Sequence, residues 1–235
     1  MHYVPELDFR YNWKTAVRAA RRLVADADDT QQVFLIMRAL NGKASRDNYD
    51  RLIQSAEGGN LAFGHAELRE SLSDQNYIAS FKPGTVGAAY REFVAKTGYS
   101  AKDLADISIR ANSRTDVRHP YAWINRRERD VHDVWHVLTG YAANEPLGEA
   151  CLVAFSFAQT RALGWACIAV AAGLEYLRYP RGWTHVQAIW EGYQNGRAAA
   201  WLLGEDYHRL LSEPIGEART RLNIGSAPRY ERARS

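Results

Sequence analysis

The chain has 235 residues, 46% of them hydrophobic and 24% charged, with a formal net charge of +3. That composition excludes a disordered chain and supports one sizeable core. The mild charge without a basic motif argues against nucleic-acid binding, and two cysteines in apolar runs exclude a disulfide framework.

The N-terminus, Met1 to Glu6, lacks a basic segment followed by an apolar one, so no signal peptide is expected and a cytoplasmic location is. Trp13, Ala16, Val17, Ala20, Leu23 and Val24 recur at helical spacing, with Arg18, Arg21 and Arg22 on the other side. Thr30 is placed to cap a second helix whose stripe is Val33, Ile36, Met37 and Leu40, and Asn41-Gly42 stops it. A weaker helix is expected over 46–55, a turn at Gly58-Gly59-Asn60, and one or two short helices between Ala62 and Leu72. Pro83-Gly84-Thr85 is a turn feeding a helix that carries Val86, Ala89, Tyr90, Phe93 and Val94 and ends at Gly98. The stretch from Asp103 to Arg114 is ambiguous.

Pro120 suits the first turn of a helix running to about Thr139, with Gly140 as its stop. The most apolar segments follow, Ala150 to Gln159 and Ala162 to Leu177. The uninterrupted run from Ala162 to Leu174 falls short of the roughly 20 residues a bilayer requires, so a buried central hairpin is expected. Pro180-Arg181-Gly182 turns into a long amphipathic helix marked by Trp183, Val186, Trp190, Tyr193 and Arg197, and then Trp201. Ser212 is placed to cap a last helix with Pro214 in its first turn. The expected fold is all-α: a single-domain multi-helix bundle over 1–224 with a central apolar helix hairpin, then a flexible tail over 225–235.

The chemistry concentrates in Val131-His132-Asp133-Val134-Trp135-His136, with Glu149 after a loop. Histidines four apart share a helix face, and Asp133 falls about 60° round from His136 at 3.6 residues per turn. A helix hairpin can bring Glu149 back to them. His132, Asp133, His136 and Glu149 are the ligand types of a zinc or non-haem iron site. The plainer alternative is two surface histidines and a salt-bridged aspartate, in keeping with the charged run Arg126 to Asp130 just upstream.

His132-Asp133-x-x-His136 followed by Leu147-Gly148-Glu149 resembles the signature of the coenzyme Q (ubiquinone) biosynthesis protein 4 family. Pro83-Gly84-Thr85-Val86-Gly87-Ala88-Ala89-Tyr90, Trp135 to Tyr141, and Pro214 to Ile224 are similar to further segments of that family. The family pattern leaves eleven residues between the second histidine and the glutamate; here twelve intervene, and the loop 142–145 can absorb the extra one. Glu145, inside that loop, is the alternative to Glu149.

The resemblance implies a helical protein holding a divalent metal, zinc first and iron second, through His132, Asp133, His136 and Glu149 as catalytic residues. It implies action on a prenylated 4-hydroxybenzoate-type quinone precursor, removing the ring C1 carboxyl, in some members with replacement by hydroxyl. The competing role is a non-catalytic scaffold that carries an isoprenoid lipid and organises other quinone-biosynthesis proteins. Membrane-surface contact on the inner face follows from so apolar a substrate, and a homodimer is compatible with the sequence. For the substrate itself, Tyr90, Phe93 and Phe155 are candidates for an apolar groove and Arg127 for the carboxylate. Phe157, Trp165 and Ile168 share the groove candidacy, although any one such residue by default belongs to the core.

Overall fold

The computed structural model describes residues 10–26, 29–64, 67–98, 105–109 and 119–235. Among the described residues the regular secondary structure is all helical, with a single isolated β-bridge, Thr85 to Pro214. In chain order the helices are α1 (Trp13–Ala25), α2 (Thr30–Leu40), α3 (Gly42–Leu52), α4 (Ala56–Gly64), α5 (Leu68–Ser73), α6 (Gln75–Ala79) and α7 (Val86–Thr97). Then come α8 (Pro120–Asp130), α9 (His132–Thr139), α10 (Pro146–Thr160), α11 (Leu163–Tyr176) and α12 (Gly182–Ala198). The chain closes with α13 (Tyr207–Leu210), α14 (Ile215–Arg221) and α15 (Pro228–Arg234). Residues 105–109 form a helical turn, and the rest of the ambiguous 103–114 stretch lies outside the described residues.

The expected hairpin is α10 and α11, and α10 is the centre of the molecule. Its Cys151, Leu152 and Phe155 are fully buried. α12 crosses α10 closely because its facing residues are small. A Cβ on Gly192 would sit 2.4 Å from the Cys151 carbonyl oxygen, and one on Gly196 would sit 2.5 Å from that of Phe155. The Gln159 amide then bridges the elements, donating to the Gly196 carbonyl at 2.7 Å and accepting from the Leu202 N–H at 2.8 Å. No helix among the described residues is long and apolar enough to cross a membrane. A second core joins α1, α2 and α11 through Ala16, Ala20, Ile36, Leu40, Trp165 and Ile168.

The Pro83-Gly84-Thr85 turn is tied to the end of the chain. Gly84 sits at φ 84°, where glycine is at ease. Its carbonyl accepts from Ile215 N–H, while Val86 and Gly87 N–H groups donate to Glu213 and Leu211. Thr85 Oγ1 caps α7 by accepting from Ala88 N–H.

Several boundaries differ from the sequence expectation. Gly58-Gly59-Asn60 is not a turn but lies within α4. The helix expected from Pro120 to Thr139 breaks at Val131 into α8 and α9. The α12 helix stops at Ala198, short of Trp201. Pro214, not Ser212, occupies the N-cap position of α14. The largest correction concerns the C-terminus: the stretch 225–235, expected as a flexible tail, holds α15, with Tyr230 fully buried. Its single large aromatic does the work that periodic apolar residues do elsewhere.

The glycine crossing yields a paired stability test. Gly196→Ala is expected to cost about 1–3 kcal/mol by overpacking against the Phe155 backbone. Gly216→Ala, in α14 with open space around the new methyl, should stabilise by roughly 0.5–1 kcal/mol. Urea denaturation midpoints read both, and equal effects would refute the close crossing.

Candidate metal centre

α9 presents His132 and His136 one turn apart, and the first turn of α10 presents Glu149 to them. The ligand-type atoms of these three residues lie within 4.8 Å of one another. His136 Nε2 is 3.2 Å from Glu149 Oε1, and His132 Nε2 is 3.6 Å from Oε2. His136 is buried at 1% side-chain exposure, whereas Glu149 keeps 40%.

The loop after α9 fixes the tautomer. His136 Nδ1 lies 2.8 Å from the Tyr141 carbonyl, which can only accept, so Nδ1 carries the proton. Nε2 is then the nitrogen left facing the Glu149 carboxylate, and this buried atom has no other hydrogen-bond partner. At 3.2 Å from a carboxylate oxygen it is satisfied by a cation between the two, a proton or a metal ion. A neutral imidazole Nε2 whose Nδ1–H is held by a carbonyl is the usual metal-ligating arrangement. The residues fit a divalent metal.

Aromatic rings fix the imidazoles from behind. Trp165 of α11 stacks on His132 at 5.9 Å between centroids, and Phe93 of α7 stacks on His136 at the same distance. Trp165 in turn donates its indole N–H to Glu128. Burial pushes the Glu128 carboxyl up to about 7, against hydrogen bonds from Trp165 and Thr160.

Charge follows from this packing. Burial alone would lower the His132 pKa, but Glu149, with Asp133 and Glu128 behind it, raises it above its ordinary value. Burial works to raise Glu149, yet His136 and His132 together hold its carboxyl well below the usual carboxylate range.

The backbone of the loop carries the remaining geometry. Gly140, at φ 80°, turns the chain out of α9. A Cβ on Gly148 would lie 2.1 Å from the Ala142 carbonyl oxygen, so only glycine lets the loop close onto α10 there. Glu145 is not in the trio. It takes the Tyr230 hydroxyl and Arg234 Nε, the latter at 3.3 Å. Tyr230 Oη also accepts from Ala142 N–H at 3.0 Å, so α15 pins both ends of the loop. Glu191 holds α15 itself by accepting from the N–H groups of Arg229 and Tyr230.

With this geometry in place, the comparisons are decisive. The sequence profile described as "Coenzyme Q (ubiquinone) biosynthesis protein Coq4" matches residues 6–228. The chain belongs to this family. The "Ubiquinone biosynthesis protein COQ4 homolog, mitochondrial" of Danio rerio is 28% identical over 181 residues, covering 76% of this chain and 64% of that protein. The chain thus spans under two thirds of that relative's length. Its counterpart from Nematostella vectensis is 26% identical over 187 residues, covering 77% and 85%. A crystal structure of a protein assigned to ubiquinone biosynthesis from Nostoc punctiforme shares the fold. It has a TM-score of 0.67 at 21% identity, covering 92% of this chain and 100% of that one.

Other sequence candidates separate in space. Asp133 is buried and acts on His132 through its charge, but is not part of the trio. Phe93 lies against the site, and Tyr90 stacks behind it at 6.4 Å with its hydroxyl directed to the Leu72 carbonyl. Phe155 is core: fully buried, edge-on to Trp135 at 6.1 Å. Arg127 is also structural. Its Nε donates to the Leu203 carbonyl at 2.9 Å and Nη2 to that of Glu205, with Tyr207 and Trp123 against its face. These contacts hold it inside the core at 3% exposure.

The charged run upstream is not a solvated face. Arg126, Arg127, Glu128, Arg129 and Asp130 are all buried. Arg126 pairs with Glu67 at 2.8 Å and Arg129 with Asp130 at 2.7 Å. Five successive residues sweep the whole circumference of a helix. A run of that length bounded by Trp123-Ile124 and Val131 was the available signal of a helix enclosed on all sides.

The pKa directions set a pH window for the metal-free protein. The raised His132 stabilises fully below its unfolded value of 6.5 and loses this as pH rises through its folded value. The depressed Glu149 stabilises fully above its unfolded value of 4.5 and loses this as pH falls. The stability difference between wild type and Glu149→Gln should therefore be largest between pH 4.5 and 6.5. Thermal midpoints of both proteins across pH 4–9, with chelator present, check this; a difference that grows steadily above pH 8 contradicts it. Separately, Tyr230→Phe should destabilise by about 1–3 kcal/mol through the unpaired Ala142 N–H and Glu145, read by urea denaturation.

Proposed function

We propose that this protein catalyses a metal-dependent step of ubiquinone biosynthesis, removing the C1 carboxyl of a prenylated 4-hydroxybenzoate-type precursor. What supports a reactive rather than a structural centre is the trio itself. Three protein ligand residues, one of them 40% exposed, leave open positions, whereas structural zinc sites are closed by four ligands. Asp133 is the candidate for a further carboxylate ligand.

A bound divalent metal, zinc or iron, supplies Lewis acidity for the carboxylate or phenolate of the head group. The protein's own part is orientation and exclusion. His136 is held in one tautomer by Tyr141, His132 is held flat against Trp165, and Glu149 stays ionised throughout the neutral range. Phe93, beside His136 and backed by the buried Tyr90, is the apolar side chain that an aromatic ring can meet. In the decarboxylation the bond between ring C1 and the carboxyl carbon breaks, carbon dioxide leaves, and its electron pair stays on the ring to take a proton. Where hydroxyl replaces carboxyl, dioxygen is the oxidant: one oxygen atom enters at C1 and the other leaves as water with two electrons from an external reductant, and iron is the metal suited to this. The polyprenyl tail places the protein at a membrane surface, beside other quinone-biosynthesis proteins.

Metal analysis and turnover test this together. Wild type is expected to hold one divalent metal per chain, and His132→Ala/His136→Ala to lose it while keeping its helical circular dichroism. Glu149→Ala should lower turnover of the prenylated precursor, followed by mass spectrometry, by 100-fold or more, on the order of 2.7 kcal/mol in the barrier. Normal turnover by Glu149→Ala would sink the catalytic assignment, and metal retained in the double histidine variant would sink the site.

A further inference from the structure

The exposed large apolar side chains are not scattered. Apart from Ile53 and Phe63, they lie on α1 with the residues just before it, or between Val170 and Trp190. Tyr11, Trp13, Val17 and Val24 belong to the first group, and Val170, Leu174, Leu177, Tyr179 and Trp183 to the second. α1 packs directly on α11 through the second core, so the two groups flank one seam.

α1 has an unusual section. Only small residues, Ala16, Ala19 and Ala20, are fully buried on its inner side. At 100° per residue, Trp13, Val24 and Val17 fall within about 40° of one another, on the edge beside that buried seam. Arg21, Lys14, Arg18 and Arg22 follow next round the helix, about 60–160° from the apolar edge. All four cations are exposed, none has an ion-pair partner among the described residues, and α1 contains no acidic residue. An apolar edge carrying a tryptophan with a basic face beside it is the section of a helix that lies in a membrane interface. A helix meeting an acidic protein would keep its cations but has no use for the wholly uncharged outer stripe Val170, Leu174, Leu177 next to it.

We propose that α1 and the outer side of the α11–α12 hairpin form a docking surface for a bilayer containing anionic lipid. Lys14, Arg18, Arg21 and Arg22 meet the lipid phosphates, while Trp13, Val17, Val170 and Leu174 enter the interface. The consequence for the site rests on the function proposed above. α11 carries Trp165 against His132 on its inner side and Val170 and Leu174 on its outer side. A bilayer at this surface therefore lies about one helix diameter, ~10 Å, from the trio. The bilayer and the trio are then separated by the thickness of α11 alone.

Co-sedimentation of the full chain with vesicles tests the surface without metal or substrate. Binding to phosphatidylcholine mixed with phosphatidylglycerol should exceed binding to phosphatidylcholine alone by tenfold or more, and should fall as salt rises. Arg18→Gln/Arg21→Gln/Arg22→Gln should weaken anionic-vesicle binding on the order of 100-fold. Val170→Ser/Leu174→Ser should weaken binding while leaving its salt dependence. These side chains are exposed, so thermal midpoints should move little; if a variant unfolds, the lipid and salt dependence of wild type still decides. Equal binding to both vesicle types, or a triple variant that binds like wild type, overturns the proposal. So does binding to heparin without binding to vesicles, which would point to a soluble acidic partner. His132→Ala/His136→Ala should bind vesicles normally, so loss of turnover with vesicle binding intact refutes only the catalytic reading.

Discussion

One hydrogen bond governs the arrangement of the site: the Tyr141 carbonyl on His136 Nδ1. It leaves the other nitrogen, in a buried position, opposite a carboxylate. Such a pair is stable only with a proton or a metal ion between the two, so the fold has to hold Glu149 where that cation can be shared. The means are visible. Glu149 sits in the first turn of α10, where the helix N-terminus favours a negative charge. The loop behind it is closed by the Gly148–Ala142 contact and by Tyr230, which engages Ala142 and Glu145 together. In this way a C-terminal helix, through its bonds to Ala142 and Glu145, determines where the loop, and hence the start of α10, can lie.

The same economy of orientation appears in α8. A helix with five consecutive buried charged residues would be costly if any were left alone, because desolvated charge is worth several kcal/mol. Arg127 is spread over two carbonyls and two aromatic faces, Arg126 is matched by Glu67, and Arg129 by Asp130. Glu128 has no cationic partner of this kind, and its carboxyl is accordingly pushed up to about 7 while it orients Trp165. α8 thus serves as a rigid polar spine immediately preceding the ligand helix, with the break at Val131 re-aiming α9.

Much of this was legible in the residues. The helical class, the apolar hairpin and the His132/His136/Glu149 grouping follow from periodicity, ligand type and the resemblance together. Choosing between Glu149 and Glu145 required three dimensions, because Tyr230 and Arg234, which occupy Glu145, are some 85 residues away. The C-terminal helix was hidden for a related reason. A single buried tyrosine has no period, and Pro228 to Arg234 otherwise reads as polar and basic. Arg127 was misjudged because sequence shows its charge but not the carbonyls of Leu203 and Glu205 that use it. Spacing put Trp13, Val17 and Val24 on one apolar face with Ala16 and Ala20, although the seam of α1 closes on its alanines and leaves the larger residues exposed.

That last discrepancy points to how the molecule divides its labour. Where α12 crosses α10, glycines let backbones approach until the carbonyls of Cys151 and Phe155 leave no room for a methyl group. A crossing that tight tolerates little movement, and it anchors the helix that carries Glu149. On the other side of the hairpin, α1 closes on alanines and leaves its larger apolar residues outside. α11 lies between these regimes, with Trp165 packed toward the imidazoles and an uncharged stripe facing outward. A helix so placed couples whatever rests on its outer face to the stacking partner of His132 through a single rigid element. The His132/His136/Glu149 trio is therefore braced by the tight α12 crossing on one side and by Trp165 of α11 on the other.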